Sequence, residues 1–428
     1  MSAEKDDSKL VIDAVEEKPR GVSLFRVTLT IIILALIAGF VVGVACLAVL
    51  RGVDLLQELV WSELRGAFPE PLRTIAPVLL CVVGGFAVGA CTKWAGFSLD
   101  TLGVVIKRCK TEGGYRLKSV PKALLLFALP IAFGGSVGPE AGVSGFTAAL
   151  VSSAMRAMRR GGVAAVCDPN RPFAAAMEEI MPSRPGSPND GETATASTDR
   201  HYRKSVRSAL WGVAGIGFVL GIMWLSSVLG PGSGLPRFEA ISYLSSNWLV
   251  GALALVIGYA LARMSLAAAR LARRLALGKD HVARAVVCGL LLGVVAIFLP
   301  DVLFSGQAGT REVIVDWQQQ GALMLAATCV AKLVLTQVCV ACDWIGGEFF
   351  PMIFCGVCAG YAISLVTGVD PMLPVAVATA ALVAGCIGKP VLTTCVLALC
   401  FPLKSLPVVA AAAFVAAKLH DRAASQRT

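Results

Sequence analysis

The sequence predicts an all-α, polytopic membrane protein of two repeated halves with broken and re-entrant helices. Three observations carry this expectation. The 428 residues are 56% hydrophobic and only 15% charged, far more apolar than a water-soluble domain. Charge-free runs at 27–50, 208–236, 240–262 and 349–369 each provide the roughly 20 residues a helix needs to cross the hydrocarbon core. One pattern occurs twice, half a chain apart: GGSVGP at 134–139 and GGEFFP at 346–351.

Residues 1–22 form a polar, cytosolic tail. The long apolar run after it has no small-residue cleavage site, which predicts an uncleaved first span and not a signal peptide. Residues 23–181 make the first transmembrane half. Within it the charge-free runs 123–139 and 141–155 are short for a straight span, as are 285–300, 390–403 and 405–417 further on. They predict tilted, partial or re-entrant helices whose ends are covered by protein or water. The moderately apolar stretch 161–181 predicts a re-entrant hairpin or a surface helix. Residues 182–204, rich in Pro, Ser, Thr, Gly and Asp, predict a flexible cytosolic loop. Residues 205–420 hold the remaining transmembrane helices, including the second half, and 421–428 a cytosolic tail.

The net charge of +10 is not a nucleic-acid signal, because the basic residues are confined to loops. Lys107, Arg108, Lys110, Arg116, Lys118 and Lys122 form one cluster; Arg156, Arg159 and Arg160 belong to a second, and Arg263, Arg270, Arg273, Arg274 and Lys279 to a third. Segment 229–247 carries only Arg237 and Glu239. This asymmetry predicts a multi-pass protein of the cytoplasmic (inner) membrane, with both termini and the basic loops in the cytosol and 229–247 outside. Fourteen cysteines include two C-x-x-C pairs, Cys339/Cys342 and Cys355/Cys358. Most cysteines fall inside apolar runs, where the residue behaves as a small hydrophobe. With only His201, His281 and His420 available as further soft ligands, packing is the favoured role, not zinc binding. No metalloprotease, nucleophile-elbow or phosphate-loop motif occurs, so no enzyme is expected.

The repeated pattern carries the functional argument. Gly and Pro cost about 1 and 3 kcal/mol in a helix interior, so each GGxxxP ends one helix and opens another. Proline at the first helical position presets φ and lacks an N–H that would have had no partner there. Glycines let backbone approach a ligand closely. The N–H groups of the opened end, aligned with the positive end of the helix dipole, suit an anion without a full positive charge. Paired Gly–Pro breaks in corresponding places of two halves point to a midplane binding site in a transporter.

At these residues the chain resembles the CLC family of chloride channels and chloride/proton antiporters. Gly135-Ser136-Val137-Gly138-Pro139 is similar to the family's G-R/K-E-G-P motif, and Gly347-Glu348-Phe349-Phe350-Pro351 to its G-x-F-x-P motif. Weaker likeness occurs at 299–309 (LPDVLFSGQAG), 330–336 and 388–399 (GKPVLTTCVLAL). The resemblance covers 27–418. It implies a homodimer in the lipid bilayer, each subunit holding its own pore for a small inorganic anion between two inverted halves, with no cofactor and no metal. It implies anion contacts at Gly135, Ser136, Val137, Gly138, Gly347, Glu348, Phe349 and Phe350.

The chain departs from the family pattern at several points. The family's gating glutamate falls at Val137, which carries no proton. Its internal glutamate has Glu178 or Glu179 as counterparts, in a turn that is short by one helical turn. No tyrosine follows Tyr361, so the pore tyrosine has no counterpart. GSGLP at 232–236 copies the family's serine motif but follows the Val137 motif instead of preceding it. By order, 95–103 holds that slot, with Ser98 as the hydroxyl. Glu140 and Glu348 are either first-turn carboxylates favoured by the helix dipole or pore carboxylates replacing the missing gate. Lys332 is expected to pair with Asp343 or Glu348. The functional expectation is CLC-like anion transport, passive or weakly proton-coupled because of Val137. The alternatives are a proton-coupled antiporter using Glu348 or Glu179, and a non-transporting membrane scaffold that recruits partners through its flexible loop.

Overall fold

The computed structural model describes residues 24–64, 66, 68–111, 115–166, 196–229, 236–243, 247–276 and 280–425. Glu178, Glu179, the glycines of GSGLP and most of the 182–204 loop lie outside the described residues. Among those described, the secondary structure is helical. In chain order the helices of eight or more residues are α1 (Leu24–Glu58), α2 (Ala76–Ala95), α3 (Leu102–Thr111), α4 (Val120–Ala132), α5 (Glu140–Val166), α6 (Ala196–Leu229) and α7 (Trp248–Leu275). They continue with α8 (His281–Phe298), α9 (Gln307–Gln320), α10 (Ala322–Ala341), α11 (Phe349–Thr367), α12 (Met372–Ile387), α13 (Pro390–Leu397) and α14 (Leu406–Ser425). Seven of the helical segments are long and apolar enough to cross a membrane.

Two compact units emerge. The first comprises Met1–Ala48, Arg108–Arg116 and Thr147–Gly230. In it α1 and α6 meet through two facing G-x-x-x-G pairs. A β-carbon on Gly39 or Gly43 would fall 2.0 or 2.2 Å from the carbonyls of Ala214 or Phe218, and one on Gly217 or Gly221 would strike Leu36 or Phe40. Small residues are what let backbones approach this closely where hydrophobic burial cannot drive association.

The second unit comprises Val49–Lys107, Leu117–Phe146 and Pro231–Thr428. It repeats the device between α2 and α8. A β-carbon on Gly85 or Gly89 would meet the backbone of Ala285 or Val282, and one on Gly289 or Gly293 the backbone of Cys81 or Val78, all within 2.5 Å. At the centre lies α11, buried without interruption from Pro351 to Ser364. It packs on α12, where Gly356 and Gly360 fit against Thr379 and Val375. Side-chain caps start α7 and α8: Asn247 accepts the N–H groups of Leu249 and Val250, and Asp280 that of Val282.

Several sequence expectations need correction. The short charge-free runs do not all mark short helices. Run 141–155 lies in the 27-residue α5, 285–298 of the next in the 18-residue α8 and 406–417 of the last in the 20-residue α14. Charged residues at the ends, such as Arg284 in α8 and Lys418 in α14, continue the helices beyond the apolar stretch. Partial helices do occur at α4, with 13 residues, and at α13, with 8. Residues 161–166 of the expected hairpin or surface helix are the end of α5. Most cysteines are expected to pack inside apolar runs, but Cys395, within the run 390–403, is exposed.

Lys332 pairs with neither Asp343 nor Glu348. Its fully buried ammonium donates to the carbonyls of Asp301, Val302, Leu303 and Phe304 at 2.8, 3.1, 2.9 and 3.1 Å and lies 5.0 Å from the centre of the Phe354 ring. A helical turn reverses at Pro300–Val302, and its successive carbonyls converge on one point. The lysine reaches that point from α10, satisfying donors and acceptors together. Asp343 instead binds Arg284 and His281.

Candidate anion site

Each GGxxxP segment breaks the chain as its composition requires, and both breaks lie in the second unit. Gly134 takes φ +85°, the Gly135 N–H returns to the Pro130 carbonyl at 2.7 Å, and α5 opens after Pro139. The second break follows α10 and opens α11. The two breaks then meet. Gly138 and Gly347 form an antiparallel bridge, N–H to carbonyl in both directions at 2.7 and 2.6 Å.

The carboxylate of Glu140 is lodged at this junction. Its Oε1 accepts the Phe350 N–H at 2.7 Å. Its Oε2 is buried and has no hydrogen-bond partner. A β-carbon on Gly347 would fall 1.7 Å from Oε2, and one on Gly138 2.1 Å. Only glycines leave room for the carboxylate, and it fills the space that they open. A side-chain carboxyl group therefore occupies the N-terminus of α11, where the first N–H groups lack intrahelical acceptors.

A cavity of about 240 Å³ adjoins the junction, lined among others by Thr101, Glu140, Gly347, Glu348, Phe349 and Lys389. Four helix N-termini contribute to it. Thr101 directly precedes α3, Glu140 opens α5, Phe349 opens α11, and Lys389 caps α13 ahead of Pro390. Each of these ends carries the positive end of a helix dipole, and the lining holds one lysine, Lys389, beside two carboxylates, Glu140 and Glu348. Glu348 is held at the rim: its Oε2 accepts from Gln337 Nε2 at 3.3 Å, and Gln337 also donates to Ser265.

The structure thus brings together Gly138, Gly347, Glu348, Phe349, Phe350 and Glu140. Gly135, Ser136 and Val137 stand behind the junction. Ser136 is buried, its hydroxyl 3.2 Å from that of Thr336, which donates to the Lys332 carbonyl at 2.8 Å. Val137 is fully buried in a core with Cys81, Cys288 and Trp344, and its side chain fills the space that a β-carbon on Gly346 would need. Ser98 is exposed, with its hydroxyl on the Leu99 carbonyl at 3.3 Å, and is not among the cavity's lining residues. The hydroxyl at the cavity is that of Thr101, three residues on. Thr101 and Lys389 went unnoticed in the sequence. The available signals were a hydroxyl directly before a helix start and a lysine directly before a helix-opening proline.

Comparison with known proteins follows this geometry. Residues 236–421 match the family described as voltage gated chloride channel. No curated protein sequence matches. Among solved structures, a CLC-type fluoride/proton antiporter is similar at a TM-score of 0.60 and 16% identity, with 94% of this chain and 98% of that one covered. A slow cyanobacterial Cl-/H+ antiporter is similar at 0.59 and 17% identity, over 92% and 94%. A eukaryotic CLC transporter is similar at 0.57 and 15%, over 92% and 72%. The voltage gated chloride channel family model thus covers 236–421, and a fold like that of the CLC-type transporters extends along nearly the whole chain.

Proposed function

We propose that this protein moves a small inorganic anion across a membrane, and that Glu140 is the carboxylate that closes its site. The observation that carries this reading is the Glu140 carboxylate on the Phe350 N–H with its second oxygen buried and unpartnered. A charged carboxylate makes a strong, charge-assisted bond to that N–H. Protonation removes the charge and weakens the hold, and a permeant anion takes the vacated N–H and the convergent dipoles. Binding through N–H groups and not through a directly coordinating lysine keeps the anion weakly enough bound to leave. Lys389 at the cavity raises the local anion concentration. Chloride and fluoride are the anions to test first, since structurally similar proteins carry those names.

In this reading movement is passive or weakly coupled to protons. Val137, at the position of the family's gating glutamate, carries no proton, and Glu140 acts as a proton-sensitive gate. The second reading is proton-coupled exchange, in which Glu140 and Glu348 pass a proton along the cavity they both line. Anion flux and proton movement in liposomes under a pH gradient separate the two. Flux without stoichiometric proton counter-movement supports the gate; a fixed ratio supports exchange.

The sign of the pH effect follows from the charge. At higher pH the carboxylate is charged and holds the site, so flux falls; acidification neutralises it, so flux rises. Glu140→Gln is permanently neutral and is expected to conduct at high pH with its pH dependence abolished. Native pH dependence in E140Q removes the gate from Glu140. Absence of flux from purified native protein, for every anion in a panel, favours the scaffold instead.

A further inference from the structure

The carbonyls of Asp301, Val302, Leu303 and Phe304 surround one point, and the buried Lys332 ammonium occupies it at 2.8–3.1 Å. An ammonium has three N–H donors, so four acceptors cannot each receive a hydrogen bond of their own. The contact is coordination of a charge by oxygen dipoles, the device by which rings of carbonyls replace an ion's hydration shell. Magnesium and calcium take oxygens at about 2.0–2.1 and about 2.3–2.6 Å. The wider spacing of this cage fits a larger, monovalent ion. The Phe354 ring, its centre 5.0 Å from the nitrogen, covers a further side.

The surrounding chain is shaped to the ion. Gly306 takes φ +84°, and a β-carbon there would fall 3.1 Å from Lys332 Cε and 2.7 Å from Phe354 Cβ. Phe304 takes φ +60°, a conformation disfavoured for a residue with a β-carbon. Carbonyl dipoles aimed at one point repel each other unless a cation lies between them. The cage also braces the first break: the Phe304 N–H donates to the Gly134 carbonyl at 3.3 Å. Trp61 meets the Phe304 ring edge-on, centres 5.1 Å apart, while its indole donates to the Ala132 carbonyl at 2.9 Å.

We propose that the 301–304 turn is a monovalent-cation site whose resident ion is the tethered ammonium of Lys332. The native chain thus supplies its own cation and is indifferent to free ones. With a neutral residue at 332, the vacated cage takes a free ion of ammonium or potassium size, and the stability of the turn then follows that ion's concentration. The proposal does not rest on the anion-transport reading: the cage needs its cation whether or not an anion crosses the protein.

The test compares the native full chain with Lys332→Met, which keeps an unbranched apolar stem and removes the charge. Thermal unfolding midpoints are measured in detergent in the chloride salts of choline, lithium, potassium and ammonium at one ionic strength, so that only the cation varies. In choline, K332M is expected to unfold several degrees below the native protein. Potassium or ammonium at about 100 mM raises its midpoint in step with concentration, as mass action requires; lithium and choline do not, and the native midpoint stays fixed. A K332M midpoint that no cation moves overturns the site. So does one that every cation moves alike, or a native midpoint that rises by the same amount. If K332M unfolds on extraction in choline, its folded yield in ammonium against choline reads the same preference. Lys332→Arg gives an independent check: the planar guanidinium keeps the charge but does not place a single nitrogen among four carbonyls. K332R is expected to unfold below the native protein and to ignore added cations; a native midpoint in K332R would show that charge suffices without the cage, and would overturn the proposal.

Discussion

Glu140 and Gly347 form one device at the scale of single residues. The carboxylate fits only because two glycines face it, so a methyl group at either should evict it. Gly347→Ala would place a β-carbon 1.7 Å from Oε2, far inside van der Waals contact. The flexible end of Glu140 is expected to yield, not the bridged backbone. The variant should then resemble E140Q, with flux that no longer depends on pH. Native pH dependence in liposomes containing G347A would show that the carboxylate does not sit between the breaks. The sequence marked Glu140 as a carboxylate in a first helical turn but left two roles open. What supports the proposed pore role is the Phe350 N–H, 210 residues away in the chain, and no local pattern reports such a partner.

Glycine seams organise the elements. The two facing G-x-x-x-G pairs of α2 and α8 bring backbone against backbone, so a large side chain there has nowhere to go. Overpacking a tight core costs about 1–3 kcal/mol, and here the obstruction is the Cys81 carbonyl at 2.1 Å from the position of a new β-carbon on Gly289. Gly289→Leu should lower the thermal unfolding midpoint in detergent and reduce the folded yield. Gly52→Ala on α1, where a β-carbon meets nothing within 4 Å, serves as control and should leave the midpoint unchanged or raise it, since alanine is the better helix former. Equal midpoints for G289L and native protein would remove the seam as a source of stability. The α2–α8 contact was visible in the sequence only as glycines spaced four apart; that the two helices face each other was not.

The whole molecule poses the question of sidedness. The loops rich in Lys and Arg predict a cytosolic location, and 229–247, with one residue of each sign, the opposite one. An epitope inserted between 182 and 204 should be reached by antibody only after the membrane is permeabilised. One inserted near Glu239 should be reached on intact cells. The reverse pattern would invert the proposed topology and with it the side from which protons reach Glu140.

The sequence by itself determined the class of protein and the positions of both breaks, and it supplied the anion chemistry proposed for the opened helix ends. Each of these depends on local properties: apolar run length, the cost of Gly and Pro in a helix, and the direction of the peptide dipole. Tertiary structure alone decided that Gly138 pairs with Gly347, that Glu140 fills the junction while Val137 packs behind it, that Thr101 and not Ser98 lines the cavity, and that Lys332 binds four carbonyls. Those outcomes depend on which distant segments pack together and on where each side chain finds its partner. A buried polar group must be matched within about 3 Å, and that match is made in space between residues far apart in the chain.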